Sequence, residues 1–234
     1  IAVSGVLFAS FLFFLIFYML DRRDKKLLMF SVLVLCLALR PFLSAPYLVT
    51  IIDIRNWQMI IRGEYLILSV MILSGAWLAY QIYPTRWFRV ISIALDFAFM
   101  AVITAVVLLP VHLFSYSVWL IQPAALMLLL YVLTMSTRGI LRGNRLDILY
   151  LVAFLAITIG VVSDILFSNA LEENQQLYIL SFFMLIFVFI QATLLISDWV
   201  RRGKEREKLA VQLEELNRDL ENRVTTRTAE LHER

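Results

Sequence analysis

Cysteine occurs once in the 234 residues, as Cys36 inside the apolar run SVLVLCLALR, so neither an intramolecular disulfide nor a cysteine metal cage can form. The two histidines, His112 and His232, stand outside every long apolar run, which excludes paired haem ligation within a bilayer. The lysines are equally peripheral. Lys25, Lys26, Lys204 and Lys208 all flank apolar runs, and without a lysine inside a span no retinal Schiff base can form. Glycine and proline number only 7 and 5, which removes collagen-like, low-complexity and Pro-rich readings. No repeat of solenoid type is visible, and HExxH, GxSxG and a phosphate-cradling glycine loop are all missing, so the sequence shows no catalytic motif and implies no cofactor.

Charge is scarce at 17%, against 62% hydrophobic residues and a mean hydropathy of +0.84, far from the composition of a soluble globular chain. A membrane protein made of helices is what remains. A span needs about 20 apolar residues to cross roughly 30 Å of hydrocarbon. Seven segments meet that length: 2–20, 27–45, 63–83, 88–109, 116–137, 147–168 and 176–199. The first is too long for a signal peptide and has no cleavage site of small residues. The expected fold class is all-α, a seven-transmembrane bundle over 1–200 followed by a cytoplasmic coiled-coil helix over 201–234.

The loops alternate in charge. DRRDKK, PTRWFR, TRGILRGNRLD and the exit RRGKEREK are basic. Between them, APYLVTIIDIRNWQMIIRG carries only Arg55 and Arg62, PVHLFSY has no Lys or Arg, and NALEENQQ is acidic through Glu172 and Glu173. The positive-inside rule then places the N-terminus outside and the C-terminus in the cytoplasm. Orientation accounts for the net charge of +3, with some contact to anionic headgroups, and basic residues confined to short loops make no nucleic-acid groove. Trp57, Trp87 and Trp199 fall at expected interfaces.

Ionisable residues inside spans are costly and so are functional candidates by default. Arg40, Arg62, Glu64 and Asp164 all fall toward the expected outer ends of their spans, where Arg40 could pair with Asp164 or Glu64. One reading is a ligand pocket or two-state latch; the other is snorkelling to the interface with a single structural ion pair. Asp96 lies deeper, about 12 Å into the fourth span at 1.5 Å per residue, and must face the bundle interior or be protonated. Gln122 and Gln191 are further buried polar candidates. Pro123 should bend its helix. Ala94, Ala98, Ala101 and Ala105 form a small-residue stripe suited to close helix packing.

After the last span, Leu209, Leu213, Leu216 and Leu220 are spaced four, three and four, as a heptad seam requires. Continuing that phase would put Arg223 and Arg227 on the seam; the apolar residues move instead to Val224 and Leu231, a stutter that locally unwinds a coiled coil. A lone helix of this kind is marginal in water, so a homodimer is expected. Gly203 is the weak point of its continuity with the seventh span.

The stretch FLIFYMLDRRDKKLLMFSVLVLCLALRPFL, two spans joined by a short basic turn and ending in Leu-Arg-Pro, resembles the opening of bacterial seven-transmembrane receptors with diverse intracellular signalling modules. LxxLNRDLENRVTTRTAEL resembles the linker helix that joins membrane sensors to the output domains of bacterial histidine kinases and diguanylate cyclases. The resemblance implies a sensor in the bacterial inner membrane, with an extracytoplasmic sensory domain before the first span and an output module after the linker. A chain that starts on Ile1 and stops within a helix reads as a fragment of such a protein. His232-Glu233 lacks the following context of a phosphoacceptor box and reads as a solvent-facing coil residue. The competing reading is a small transporter or channel with an oligomerising tail, against which stands the lack of similarity between halves. A membrane-embedded enzyme has no metal or nucleophile constellation behind it.

Overall fold

The structure, a computed structural model, describes the backbone of residues 2–22, 24–44, 57–144, 146–167 and 173–232, and their side chains except at 2, 42, 44, 57, 164–167, 173–181 and 224–232. The seven long helices are α1 (Ala2–Leu20), α2 (Lys25–Ser44), α3 (Trp57–Ile82), α4 (Arg86–Leu108), α5 (Val118–Leu141), α6 (Leu146–Phe167) and α7 (Glu173–His232). A single turn, Val111–Phe114, runs through a 3-10 turn, Ser115–Ser117, into α5. Six stretches among the described residues are long and apolar enough to cross a membrane, one in every long helix but α2.

Contacts divide the chain into Ile1–Gln191 and Ala192–Arg234, nine residues before the boundary at 200 expected from sequence. In the first unit α3 is the hub, packing on α2, α4 and α5, while α1 packs on α2 and α5 on α6. Its sequence explains this role. Ser69, Ile72, Ser74, Ala76, Leu78 and Ala79 are all buried, so more than one face is covered, and the small side chains let neighbouring backbones approach. At Gly75 a Cβ would lie 3.2 Å from Leu128 Cδ2 of α5. α4 buries Phe88, Ser92, Leu95, Phe99, Val102 and Val106 along one stripe against α3 and α5.

The remaining faces are oily. Phe97, Trp119, Leu130 and Phe189 are all more than three-fifths exposed, as expected of side chains that meet lipid instead of water. Hydroxyls in the helices mostly bond their own helix one turn back. Ser92 donates to the Phe88 carbonyl at 2.9 Å, Thr104 to Met100 at 2.8 Å and Thr158 to Phe154 at 2.6 Å, so these polar groups cost little in hydrocarbon.

Two expectations are corrected. The alanine stripe does not form the packed seam of α4: Ala94 and Ala101 are exposed and Ala98 and Ala105 half-buried, because the larger stripe from Phe88 to Val106 takes the inward face. Gln122 is exposed and not buried, since Ile121 and Ala124 occupy the inward side of α5 and Gln122 lies about 100° round the helix from Ile121.

In the second unit, α7 continues past Gly203 to His232. Asp198 pairs with Arg201 at 3.0 Å and its carbonyl accepts from Arg202 Nε at 3.2 Å; Asp219 pairs with Arg223 at 2.9 Å. Leu209, Leu213, Leu216 and Leu220 are each at least half exposed in the single chain.

Candidate functional site: polar ties around an intramembrane cavity

Alternating helices put residues 21–22 and 24, 83–85 and 142–144 at one end of the first unit, the end whose turns are basic in sequence, and the Val111–Ser117 turns at the other. At that other end, Pro110 cannot continue α4, and the last turn of α4 is left with carbonyls that have no intrahelical donor. Arg62 of α3 supplies the donors. Its Nη1 donates to the carbonyls of Val106 and, at 2.9 Å, Val107, and its Nη2 donates to Leu109 at 2.9 Å. A cation at a helix C-terminus also meets the negative end of the helix dipole. The guanidinium lies 5.4 Å from the centre of the Phe114 ring, which Tyr65 meets edge-on at 5.3 Å.

About four turns further along α3, Trp77 donates its indole N–H to both oxygens of Asp96 of α4, at 3.1 Å each. This satisfies a half-buried carboxyl in the middle of a span and joins α3 to α4 a second time.

The basic end carries the densest network. Just beyond α3, Tyr83 Oη donates to Asp147 Oδ1 of α6 at 2.7 Å and lies 3.0 Å from Ser136 Oγ of α5, with both Asp147 and Ser136 buried. Burial, ahead of every other influence, pushes the Tyr83 phenol above the ordinary tyrosine range, so it remains a proton donor at physiological pH. Tyr131 of α5 donates to the Tyr83 carbonyl at 2.8 Å, leaving Thr85 to donate to Tyr131 Oη at 3.0 Å while Thr85 Oγ1 accepts from the Phe88 N–H as the N-cap of α4. Tyr131 also stacks on Phe88, ring centres 3.7 Å apart and nearly parallel. The Asp147 carboxylate lies against Gly139 so closely that a Cβ there would collide with it.

Between these ties lies a cavity of about 90 Å³ walled by α2, α3, α5, α6 and the first part of α7. Among the described residues its lining is apolar, including Leu33, Leu37, Met71, Leu128, Phe154 and Met184, except for Arg40.

Of the residues singled out from sequence, Arg40 lines this cavity, Arg62 clasps the end of α4, and Glu64 is half-buried on α3 with partners of its own. The Asp164 side chain is outside the described residues, as are those of Trp57, Val224 and Leu231. Gln191 is fully buried, and among the described residues neither end of its amide has a partner. The Tyr83, Ser136 and Asp147 network was missed. Its available signal was Asp147, an acid in an otherwise basic turn, eight residues after a glycine. Among the described residues no group of three or more His, Cys, Asp or Glu side chains comes together to hold a metal ion.

A family model described as 7TM diverse intracellular signalling matches residues 1–198. No curated protein and no solved structure matches the chain.

Proposed function

This chain belongs to the 7TM diverse intracellular signalling family and is a membrane receptor domain of that type; on that premise we propose that it senses an extracytoplasmic or intramembrane stimulus and relays it through α7 to a signalling output module. The observation that carries the relay is the unbroken helix from Glu173 to His232, with leucines exposed at heptad spacing from Leu209 to Leu220. Two copies of such a helix bury that seam against each other as a parallel dimer, the partner being a second copy of this chain. The output module is a histidine kinase or diguanylate cyclase, in keeping with the linker resemblance.

We infer that the protein lies in a bacterial inner membrane with its N-terminus outside; the basic residues that gather in alternate turns and after the last span support that orientation. Signalling requires two bundle arrangements that a stimulus binds unequally. Moving a population from 1:99 to 99:1 takes about 5.5 kcal/mol of differential binding.

Single cysteines at Leu213, Leu216 and Leu220, introduced with Cys36 replaced by Ala, test the relay in membranes. Spontaneous or oxidant-driven disulfide dimers at seam positions, with little at Arg218, are expected. In sealed cells an impermeant thiol reagent should block a cysteine at His112 and spare one at Leu213. Absence of seam-specific dimers in intact membranes overturns the dimeric relay.

A further inference from the structure

We propose that the central cavity binds the chain of an anionic amphiphile, a molecule with a linear acyl body and one terminal carboxylate or phosphate held by Arg40. Among the described residues that line the cavity all but Arg40 are apolar, which leaves a polar solute few partners for its own hydrogen-bonding groups. The exception is a guanidinium, whose planar fork matches carboxylate and phosphate oxygens. Arg40 is already engaged within the chain, but five N–H donors leave capacity to hold an anion as well.

Geometry fits an elongated ligand. Leu33, Leu37 and Arg40 line the cavity from one face of α2, and the rise from Leu33 to Arg40 is ~10 Å at 1.5 Å per residue. The charged lining residue therefore lies at one end of an apolar slot near the C-terminus of α2, as a head group requires. A void of about 90 Å³ is several times what a single water needs and leaves room for a segment of acyl chain. Met71 and Met184 add adaptable walls that accept chains of differing shape. Gly75 also lines the slot, and its missing side chain both admits Leu128 and keeps space clear.

The ligand comes from one of two sources, a free fatty acid or an anionic phospholipid of the surrounding bilayer. The consequence for α7 rests on the sensor reading: Met184 and Phe187 place that helix in the cavity wall, so an occupant packs directly on it. Binding itself does not depend on that reading.

The test uses the full chain in nanodiscs of phosphatidylcholine, photolabelled with dodecanoic acid bearing a terminal diazirine. Saturable labelling should fall on peptides that contain Leu33 to Arg40 and Met184 to Phe187. Unlabelled dodecanoate should compete and dodecanol should not. Arg40→Gln should weaken labelling about tenfold, the loss of one charge-assisted hydrogen-bonded pair, and Arg40→Lys, which keeps the charge but not the planar fork, should fall between that variant and the parent protein. Ile157→Phe, which fills the slot, should abolish it. Nanodiscs containing phosphatidylglycerol separate the sources: competition identifies the bilayer lipid, and its absence the free acid. Labelling that does not saturate and spreads over lipid-facing residues such as Phe97 and Phe189 overturns the site. Should Arg40→Gln fail to fold, equal competition by dodecanol and dodecanoate in the parent protein overturns the anionic requirement. Either failure leaves the seam dimers of α7 unaffected, so it is distinguishable from failure of the relay.

Discussion

Tyr83 shows how one side chain can hold three helices. Its hydroxyl joins α3 to Ser136 of α5 and Asp147 of α6, while its carbonyl is held by Tyr131. Tyr83→Phe keeps the ring and its edge contact with Tyr150 but removes the only donor to the buried Asp147 carboxylate among the described residues. Leaving a buried acceptor unsatisfied costs about 1–3 kcal/mol, so the variant should unfold at a lower temperature in detergent, as followed by size-exclusion thermal melts. Gly139→Ala should produce a loss of the same order by displacing the same carboxylate, and the double variant should lose less than the sum because both changes break one interaction. Strictly additive losses would mean that the two residues act separately. None of this was legible in the sequence beyond the position of Asp147, because Ser136 and Asp147 lie 53 and 64 residues from Tyr83 along the chain and only packing brings the three together.

At the scale of elements, hydropathy gave the order of the helices. The seven expected spans fall on α1 to α7 in order, although α2 is not among the six stretches of described residues long and apolar enough to cross a membrane. The start of α4 differs by only two residues, from 88 to Arg86. The differences have local causes. α3 begins at Trp57, six residues before the expected start, because Arg62 read as a charge at the border of the loop; once Arg62 caps α4, that turn is helix and not loop. The turn Val111–Phe114 is hidden by its brevity, which leaves no room for a period to repeat. Gly203 did not end α7, since one glycine costs only about 1 kcal/mol in a helix interior. The same helix supports a test of phase. With residues 1–234 fused to a histidine kinase core, inserting seven residues between Gly203 and Leu209 rotates the seam by only ~20° relative to the bundle, whereas inserting two rotates it by ~200°. Kinase autophosphorylation should survive the first insertion with its response and lose or invert it with the second. Identical behaviour of the two would rule out a phase-dependent relay.

For the molecule as a whole, the polar ties and the cavity pull in opposite directions. Arg62, the Trp77 and Asp96 pair, and the Tyr83 network fasten neighbouring helices at both ends and in the middle. The 90 Å³ slot and the buried amide of Gln191 are departures from close packing in the same unit. A bundle selected only for stability would fill the slot and replace the amide, since a buried polar group without a partner costs about 1–3 kcal/mol. A bundle that must shift between two arrangements needs groups satisfied better in the second than in the first. Gln191→Met, close in volume and without hydrogen-bonding demand, should therefore raise the thermal midpoint of the full chain while weakening the response of the kinase fusion. A variant that gains stability and signals normally would make Gln191 a tolerated imperfection; one that loses stability would show that the amide already has a partner in this arrangement. The combination of a higher midpoint with a lost response is the outcome that ties the second arrangement to α7, because Gln191 lies on the same helix face as Met184, Phe187 and Val188, all buried.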